Sequence, residues 1–213
     1  MMERDYEMLL ISELELKILL ASLGCRSVSG PFSEEQQESR QEVLTAVASL
    51  LKREQLVLTD GVLHAEPALR GMLKDIAGAA QCLVVRSESG RICCCYGEAW
   101  MTVVMPFERS ERMLRMTRLE QKTVAEFLEQ EGFFSEPPEM LAVSEQQLWE
   151  QTASGRFTAE RRRGMETEGR MQVLCAPLSG CIIRWEIGGY GEEYPYDKML
   201  WRELIEVLIT GVK

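Results

Sequence analysis

The chain has 213 residues, 46% of them hydrophobic and 27% charged, and its 34 acids outnumber its 24 bases to give a net charge of −10. That length and balance suit a soluble globular protein of one domain or two small ones, with a real core. The acidic balance argues against nucleic acid as a partner, because phosphate neutralisation by Lys and Arg supplies most of the affinity for a duplex.

No apolar run reaches the roughly 18 to 20 residues that span a bilayer, so no membrane insertion is expected. The opening MMERDYEMLLISELELK carries acids before and inside its apolar stretch. A secretory leader has a basic start and an uninterrupted apolar centre, so a cytoplasmic location is expected. The basic runs Arg161-Arg162-Arg163 and Arg109, Arg112, Arg115, Arg118 are flanked by Glu and read as solvated mixed-charge faces.

In chain order, Ser12-Glu13-Leu14-Glu15 spells a capping box, with Ser at the cap and Glu three residues on. Leu14, Ile18, Leu19 and Leu23 then recur at helical spacing, and Gly24 stops the run. After a loop at 25–34, a second helix is expected over 35–54. Its first turn is acidic, as the helix dipole prefers, and Val43, Leu44, Val47, Leu50 and Leu51 form its inner stripe. Two short apolar runs then flank Asp60-Gly61, a hairpin signal because a type I′ turn needs positive φ at both central residues. A small hairpin behind a helix resembles the wing of a winged helix.

Glu66-Pro67 opens the next helix, with Pro in the first turn where its missing N–H costs nothing. Leu69, Met72, Leu73 and Ile76 give its apolar face, and Gly78 ends it. Residues 81–86, 91–96 and 99–105 read as an antiparallel meander. Residues 111–118 add either an edge strand or a helix. Residues 120–130 form a helix on Val124, Phe127 and Leu128.

Residues 133–138, with Glu136-Pro137-Pro138, break the chain and separate a first part, 1–134, from a second, 135–213. In the second part a helix is expected over 144–153 and a further helical turn or two over 158–166. A hairpin of 171–176 and 181–187 turns at Ser179-Gly180. Residues 188–191 are loop and 193–196 a short strand. Asp197 caps a last helix facing inward through Met199, Leu200, Leu204, Val207 and Leu208. The two parts share a rhythm of helix, hairpin and helix. The fold class is α+β: a central antiparallel sheet flanked by helices, with a winged-helix-like N-terminal segment and quasi-two-fold halves.

Catalytic chemistry finds little to stand on. His64 is the sole histidine and reads as a partly buried structural residue at the end of the wing. A Ser-His-Asp or Cys-His arrangement would have to use it alone. There is no nucleophile elbow, phosphate-binding loop or dinucleotide glycine pattern. No catalytic residue, cofactor or metal is expected. The seven cysteines include the run Cys93-Cys94-Cys95 and no CxxC pair; in a reduced compartment they act as small buried hydrophobes. On a strand, Cys93 and Cys95 share one face and Cys94 takes the other, so both faces should be covered. Cys175 and Cys181 flank a turn and are expected as a thiol pair in the core, with a redox bridge as the alternative. Trp185, Tyr190, Tyr194 and Tyr196 surround Glu192-Glu193 in a Gly-rich stretch. They are the candidate partner-binding residues, since exposed aromatics often anchor partners; the alternative is that they fold back over the sheet.

The stretch from Leu14 to Leu128 resembles the EspG family, cytosolic chaperones of ESX (type VII) secretion. The resemblance lies in Glu13-Leu14-Glu15 and in Leu50-Leu51-Lys52-Arg53-Glu54-Gln55-Leu56-Val57-Leu58 leading into Asp60-Gly61. It continues in Pro67-Ala68-Leu69 and in the strands at 83–86 and 100–104. The order of elements continues to the C-terminus. The resemblance implies a mixed α/β body with quasi-two-fold halves. It also implies a non-enzymatic role: binding a helical secreted substrate and keeping it soluble. The alternative from residues 12–77 is a winged-helix transcription regulator with a C-terminal ligand or dimerisation domain. Its recognition helix would then present Glu-Glu-Gln-Gln-Glu towards phosphates.

Overall fold

The computed structural model describes residues 8–25, 38–107, 112–134, 154–164, 166–176 and 180–210. The chain is α+β, with a nine-stranded antiparallel sheet, a separate two-stranded hairpin and, among the described residues, five α-helices. It divides into two contact units. The first takes Met1–Ala80 with Cys94–Leu119, and the second takes Gln81–Cys93 with Glu120–Lys213. The chain therefore passes between units more than once, and residues 135–138 of the expected break lie outside the described ones.

The first unit begins with β1 (Met8–Ser12), followed directly by α1 (Glu13–Ser22). Ser12 ends one and caps the other. Its Oγ accepts from the Glu15 N–H at 3.2 Å, and Glu15 Oε2 accepts from the Ser12 N–H at 2.9 Å. This is the expected capping box. Glu15 is buried and ion-paired with Arg53, which also donates to the Leu10 carbonyl. Burial alone would raise the Glu15 carboxyl. The bonds from Ser12, Arg53 and Ser49 outweigh it and hold the group below the ordinary carboxylate value. The buried stripe of α1 is Leu16, Leu19 and Leu20, while Leu14, Ile18 and Leu23 sit half-buried at its margin.

β1 was not expected from the sequence. It pairs antiparallel with β7 (Met113–Glu120), from Met8 opposite Thr117 to Ser12 opposite Met113. The segment left open as strand or helix is therefore a strand, and β1 takes the edge position in its place.

α2 (Arg40–Lys52) starts later than expected because Ser39 and Glu42 form a second capping box. The hairpin β2 (Leu56–Thr59) and β3 (Val62–Ala65) turns at Asp60, φ 52°, and Gly61, φ 77°. Those are the positive angles that a type I′ turn requires. His64 is exposed here, not partly buried as expected, because it lies opposite Val57 on the outward face of the hairpin. A 3₁₀ turn at Pro67–Leu69 then leads into α3 (Arg70–Gly78), which buries Met72, Leu73 and Ile76.

β5 (Ile92–Gly97) and β6 (Trp100–Pro106) complete this part of the sheet. Cys93, Cys94 and Cys95 are all fully buried, so both faces of β5 are covered as the alternation predicts. α3 is tied to the sheet by Asp75. Its Oδ2 accepts from Arg118 Nε at 2.8 Å and from the fully buried Thr102 hydroxyl at 3.0 Å. The Arg118 guanidinium also lies over the Trp100 ring, 5.2 Å from its centroid, a cation–π contact.

The second unit contains β4 (Cys82–Ser87), β8 (Ser154–Arg163), β9 (Glu166–Ala176), β10 (Gly180–Ile187) and β11 (Tyr190–Pro195). Its helices are α4 (Val124–Gln130) and α5 (Lys198–Thr210). Asp197 caps α5 as expected, its Oδ1 accepting from the Leu200 N–H at 2.8 Å. The inward face of α5 is Trp201, Ile205 and Leu208, and Met199 is 63% exposed. The expected stripe was thus rotated by roughly one position. Each of those buried side chains is worth about 1.5–3 kcal/mol. They meet the face of β8 and β9 that carries Phe157, Ala159, Met171 and Val173. Trp201 stacks on Phe134 with centroids 4.4 Å apart and meets Phe157 edge-on at 5.5 Å. Arg202 grips Glu129 of α4 through both carboxylate oxygens, at 2.9 and 3.0 Å.

Of residues 158–166, expected as helical, 158–163 lie in β8, Gly164 is a turn residue and Glu166 begins β9. Phe157 and Ala159 alternate with Thr158 and Glu160, and partners on β4 and β9 satisfy the backbone. The opposite face of this sheet is polar. There Glu160 pairs with Arg162 and Arg170, and Arg184 pairs with Glu193. Cys175 and Cys181 face each other in register across β9 and β10, with Cα atoms 4.2 Å apart, and are joined by a disulfide. The thiol pair expected there is corrected to a bridge, which direct cross-strand opposition brings within reach. Residues 144–153, expected as a helix, lie outside the described residues.

The nine strands run β1-β7-β6-β5-β4-β8-β9-β10-β11. Read outward from the β4–β8 pair, the order β4-β5-β6-β7 is matched by β8-β9-β10-β11, and each series is followed by a helix, α4 or α5.

Candidate functional site

The first unit displays apolar side chains on two adjoining elements, α2 and β2. Leu44 and Leu51 of α2 are 53% and 39% exposed. Seven residues apart, they fall on one face of the helix two turns from each other. Of the inner stripe expected on α2, Leu50 is fully buried and Val43 and Val47 are half-buried, with Ala46 buried beside them. The helix carries more apolar width than one packed layer covers, and Leu44 and Leu51 are what remains.

The hairpin repeats the pattern. Leu56 and Ala65 form its buried base, directly opposite each other. Towards the tip, Val57, Leu58 and Val62 are 41%, 60% and 54% exposed. Leu58 shares the Leu56 face, and Val57 and Val62 share the other. An isolated two-stranded hairpin has one face to bury at most, so apolar residues on both faces leave a surplus. These positions were not foreseen as partner contacts. The sequence of 56–65 carried the signal, since Val57 and Val62 join Thr59 and His64 on the face opposite Leu56.

In the second unit the aromatic candidates separate. Trp185 is buried on the face that α5 covers, and Tyr196 packs against Phe134 at 5.9 Å. Tyr194 is half-buried, and its hydroxyl donates to Glu192. That bond is the main cause of a Tyr194 phenol pKa above the ordinary value, with burial and the Glu192 charge adding to it. Tyr190, at the β10–β11 turn, is 83% exposed. β11 lies at the sheet edge, its two acids already differently engaged: Glu193 holds Arg184 and Glu192 holds Tyr194. The four residues do not make one exposed aromatic patch; Tyr190 alone stands clear.

Among the described residues no group of three or more His, Cys, Asp or Glu side chains is placed to hold a metal ion. Nor is any described helix long and apolar enough to cross a membrane. No protein-family model matches the chain, and no curated protein matches it.

Proposed function

We propose that the protein is a non-enzymatic adaptor or chaperone of a type VII-like secretion pathway that holds a helical secreted polypeptide through α2 and the β2–β3 hairpin. The observation that carries this reading is the exposure of Leu44, Leu51, Leu58 and Val62 on capped, hydrogen-bonded elements. Exposed apolar side chains on adjoining elements, as on α2 and β2 here, mark interaction sites. An amphipathic helix presents apolar side chains at i, i+3, i+4 and i+7, and a partner helix face of matching spacing receives them. Leu44 and Leu51 have that i, i+7 spacing. The resemblance of residues 13–15, 50–58 and 67–69 to the EspG family supplies the secretion context. The activity requires no cofactor.

The test is co-purification from the native host of the tagged chain beside a Leu44→Asp, Leu58→Asp variant. The wild type should retain a small helical secreted protein, and the variant should lose it. Equal recovery with both chains, or recovery with neither, counts against the proposal.

One observation favours a second reading, a winged-helix regulator: a capped helix runs directly into a two-stranded hairpin over residues 40–65. Against it, the outward residues of α2 include Leu44, Thr45, Ala48 and Leu51, with Arg40 and Lys52 only at its ends. Such a face gives phosphates few cations to displace counterions. Duplex binding whose affinity falls steeply with salt would favour this second reading.

A further inference from the structure

Beyond the polypeptide-binding surface, we infer that the second unit carries a separate site for a small organic anion, a carboxylate or phosphate on an apolar body. The site is a cavity of about 1070 Å³, open on one side, where the sheet runs out beyond the last turn of α5. Its volume lies just above the range of about 300–1,000 Å³ that encloses small molecules.

β8 decides its chemistry. Strand alternation splits the run Arg161-Arg162-Arg163, sending Arg162 to the polar face with Glu160, while Arg161 and Arg163 line the cavity. Arg161 lies opposite Leu83 on β4 and Gly169 on β9, and only 12% of its side chain is exposed. Its Nε is buried with no hydrogen-bond partner among the described residues. The nearest anion is Glu168, whose Oε2 stands 3.5 Å away, an ion pair without a hydrogen bond. That carboxylate is already engaged: Oε2 accepts from the Gln81 amide, and Oε1 lies 2.9 Å from Arg163 Nε.

A guanidinium so nearly buried normally has its rigid fork of donors filled by a carboxylate or phosphate. Leaving a buried donor unfilled costs stability. Two cations share one carboxylate here, so the cavity is locally positive in a chain whose net charge is −10. The remaining walls are mixed: Trp185 and Ile187 from β10 and Val207 from α5 are apolar, and Gln81, Thr167 and Thr210 are polar. At the rim, side chains added at Gly188 or Gly189 would meet no atom within 4 Å among the described residues. A bound anion would pair with the Arg161 and Arg163 guanidiniums that line the cavity while its apolar body lies against Ile187 and the exposed edge of Trp185.

The test uses phenyl phosphate, benzoate, inorganic phosphate and benzyl alcohol, titrated into the full chain by calorimetry and by amide and indole NMR. Phenyl phosphate or benzoate should bind saturably and shift the signals of Arg161, Glu168 and the Trp185 indole. Benzyl alcohol should do neither, and inorganic phosphate should bind more weakly because it leaves the apolar wall uncovered. Arg161→Gln should weaken organic-anion binding about 10- to 100-fold, the loss of a charge-assisted hydrogen bond, while Arg162→Gln should leave it unchanged. Without ligand, Arg161→Gln should melt no lower than the wild type, because it removes a poorly paired buried charge. Several results overturn the inference: no saturable binding of either organic anion at millimolar concentration, shifts confined to other residues, an Arg161→Gln chain that binds like the wild type, or inorganic phosphate binding as tightly as phenyl phosphate. A clear drop in melting temperature for Arg161→Gln would also overturn it, by showing that Arg161 serves the fold. The NMR arm on the wild-type chain decides independently of any variant's folding.

Discussion

Replacing Leu44 and Leu58 together with Asp separates folding from partner binding. Both side chains stand more than half in solvent, at 53% and 60%. Substitutions at such positions usually change stability by no more than about 0.5 kcal/mol, and Asp in place of Leu within a helix adds about 0.5 kcal/mol for propensity. The unfolding free energy of the double variant should therefore fall by roughly 1 kcal/mol. Binding should suffer far more. Covering the exposed part of each Leu is worth about 1–1.5 kcal/mol, and a carboxylate forced into an apolar contact adds a desolvation cost of a few kcal/mol. The sum exceeds about 3 kcal/mol, more than 100-fold in affinity. Urea unfolding followed by tryptophan fluorescence measures the first quantity, and co-purification from the native host reports the second. Leu50→Asp serves as the contrast, because Leu50 is fully buried and its replacement should unfold the first unit. If the double variant retained its partner within about threefold, or lost stability comparably to Leu50→Asp, the surface would not be a docking face.

Three further outcomes are expected. Gly97 has φ +113°, and a Cβ there would stand 2.2 Å from the Trp100 carbonyl oxygen, so Gly97→Ala should cost at least about 3 kcal/mol in urea unfolding; a loss under about 1 kcal/mol would contradict that geometry. Burial alone would raise the Glu160 carboxyl, but Arg162 and Arg170 outweigh it and hold the group below the ordinary value. A carboxylate depressed on folding stabilises above its unfolded pKa and loses that contribution as pH falls through the folded value, so Glu160→Gln should lower the melting temperature at neutral pH and much less at acid pH; an equal loss at both would contradict the pairing. Alkylation of the denatured chain should gain two labels when reductant is added, from Cys175 and Cys181, and no gain would show that these sulfurs are not bridged.

What was readable in the sequence was local. The Ser12–Glu15 capping box, the Asp60-Gly61 turn, the Asp197 cap and the two covered faces of Cys93-Cys94-Cys95 each depend on residues a few positions apart, and each is present. The failures were non-local. β1 is a strand because residues 8–12 meet 113–117, and β8 is a strand because β4 and β9 flank it. No window of neighbouring residues contains those partners. The same limit governed the surfaces. Leu44 and Leu51 match the apolar spacing of an inner stripe, and only the width of the layer packed against α2 leaves them outside. Trp185 and Tyr190 looked equivalent in sequence, yet α5 covers one and the β10–β11 turn presents the other. Arg161 read as part of a solvated basic run until strand alternation turned it away from Arg162.

Site-specific photo-crosslinking in the native host tests the polypeptide-binding proposal most directly. A photoreactive residue at position 58, on the exposed hairpin, is compared with one at position 184, on the polar face of the second unit's sheet. Docking of a helical secreted substrate on α2 and the hairpin predicts a discrete adduct with such a protein from position 58 and none from position 184. Equal labelling from both positions, no protein adduct from position 58, or an adduct with DNA there would contradict it.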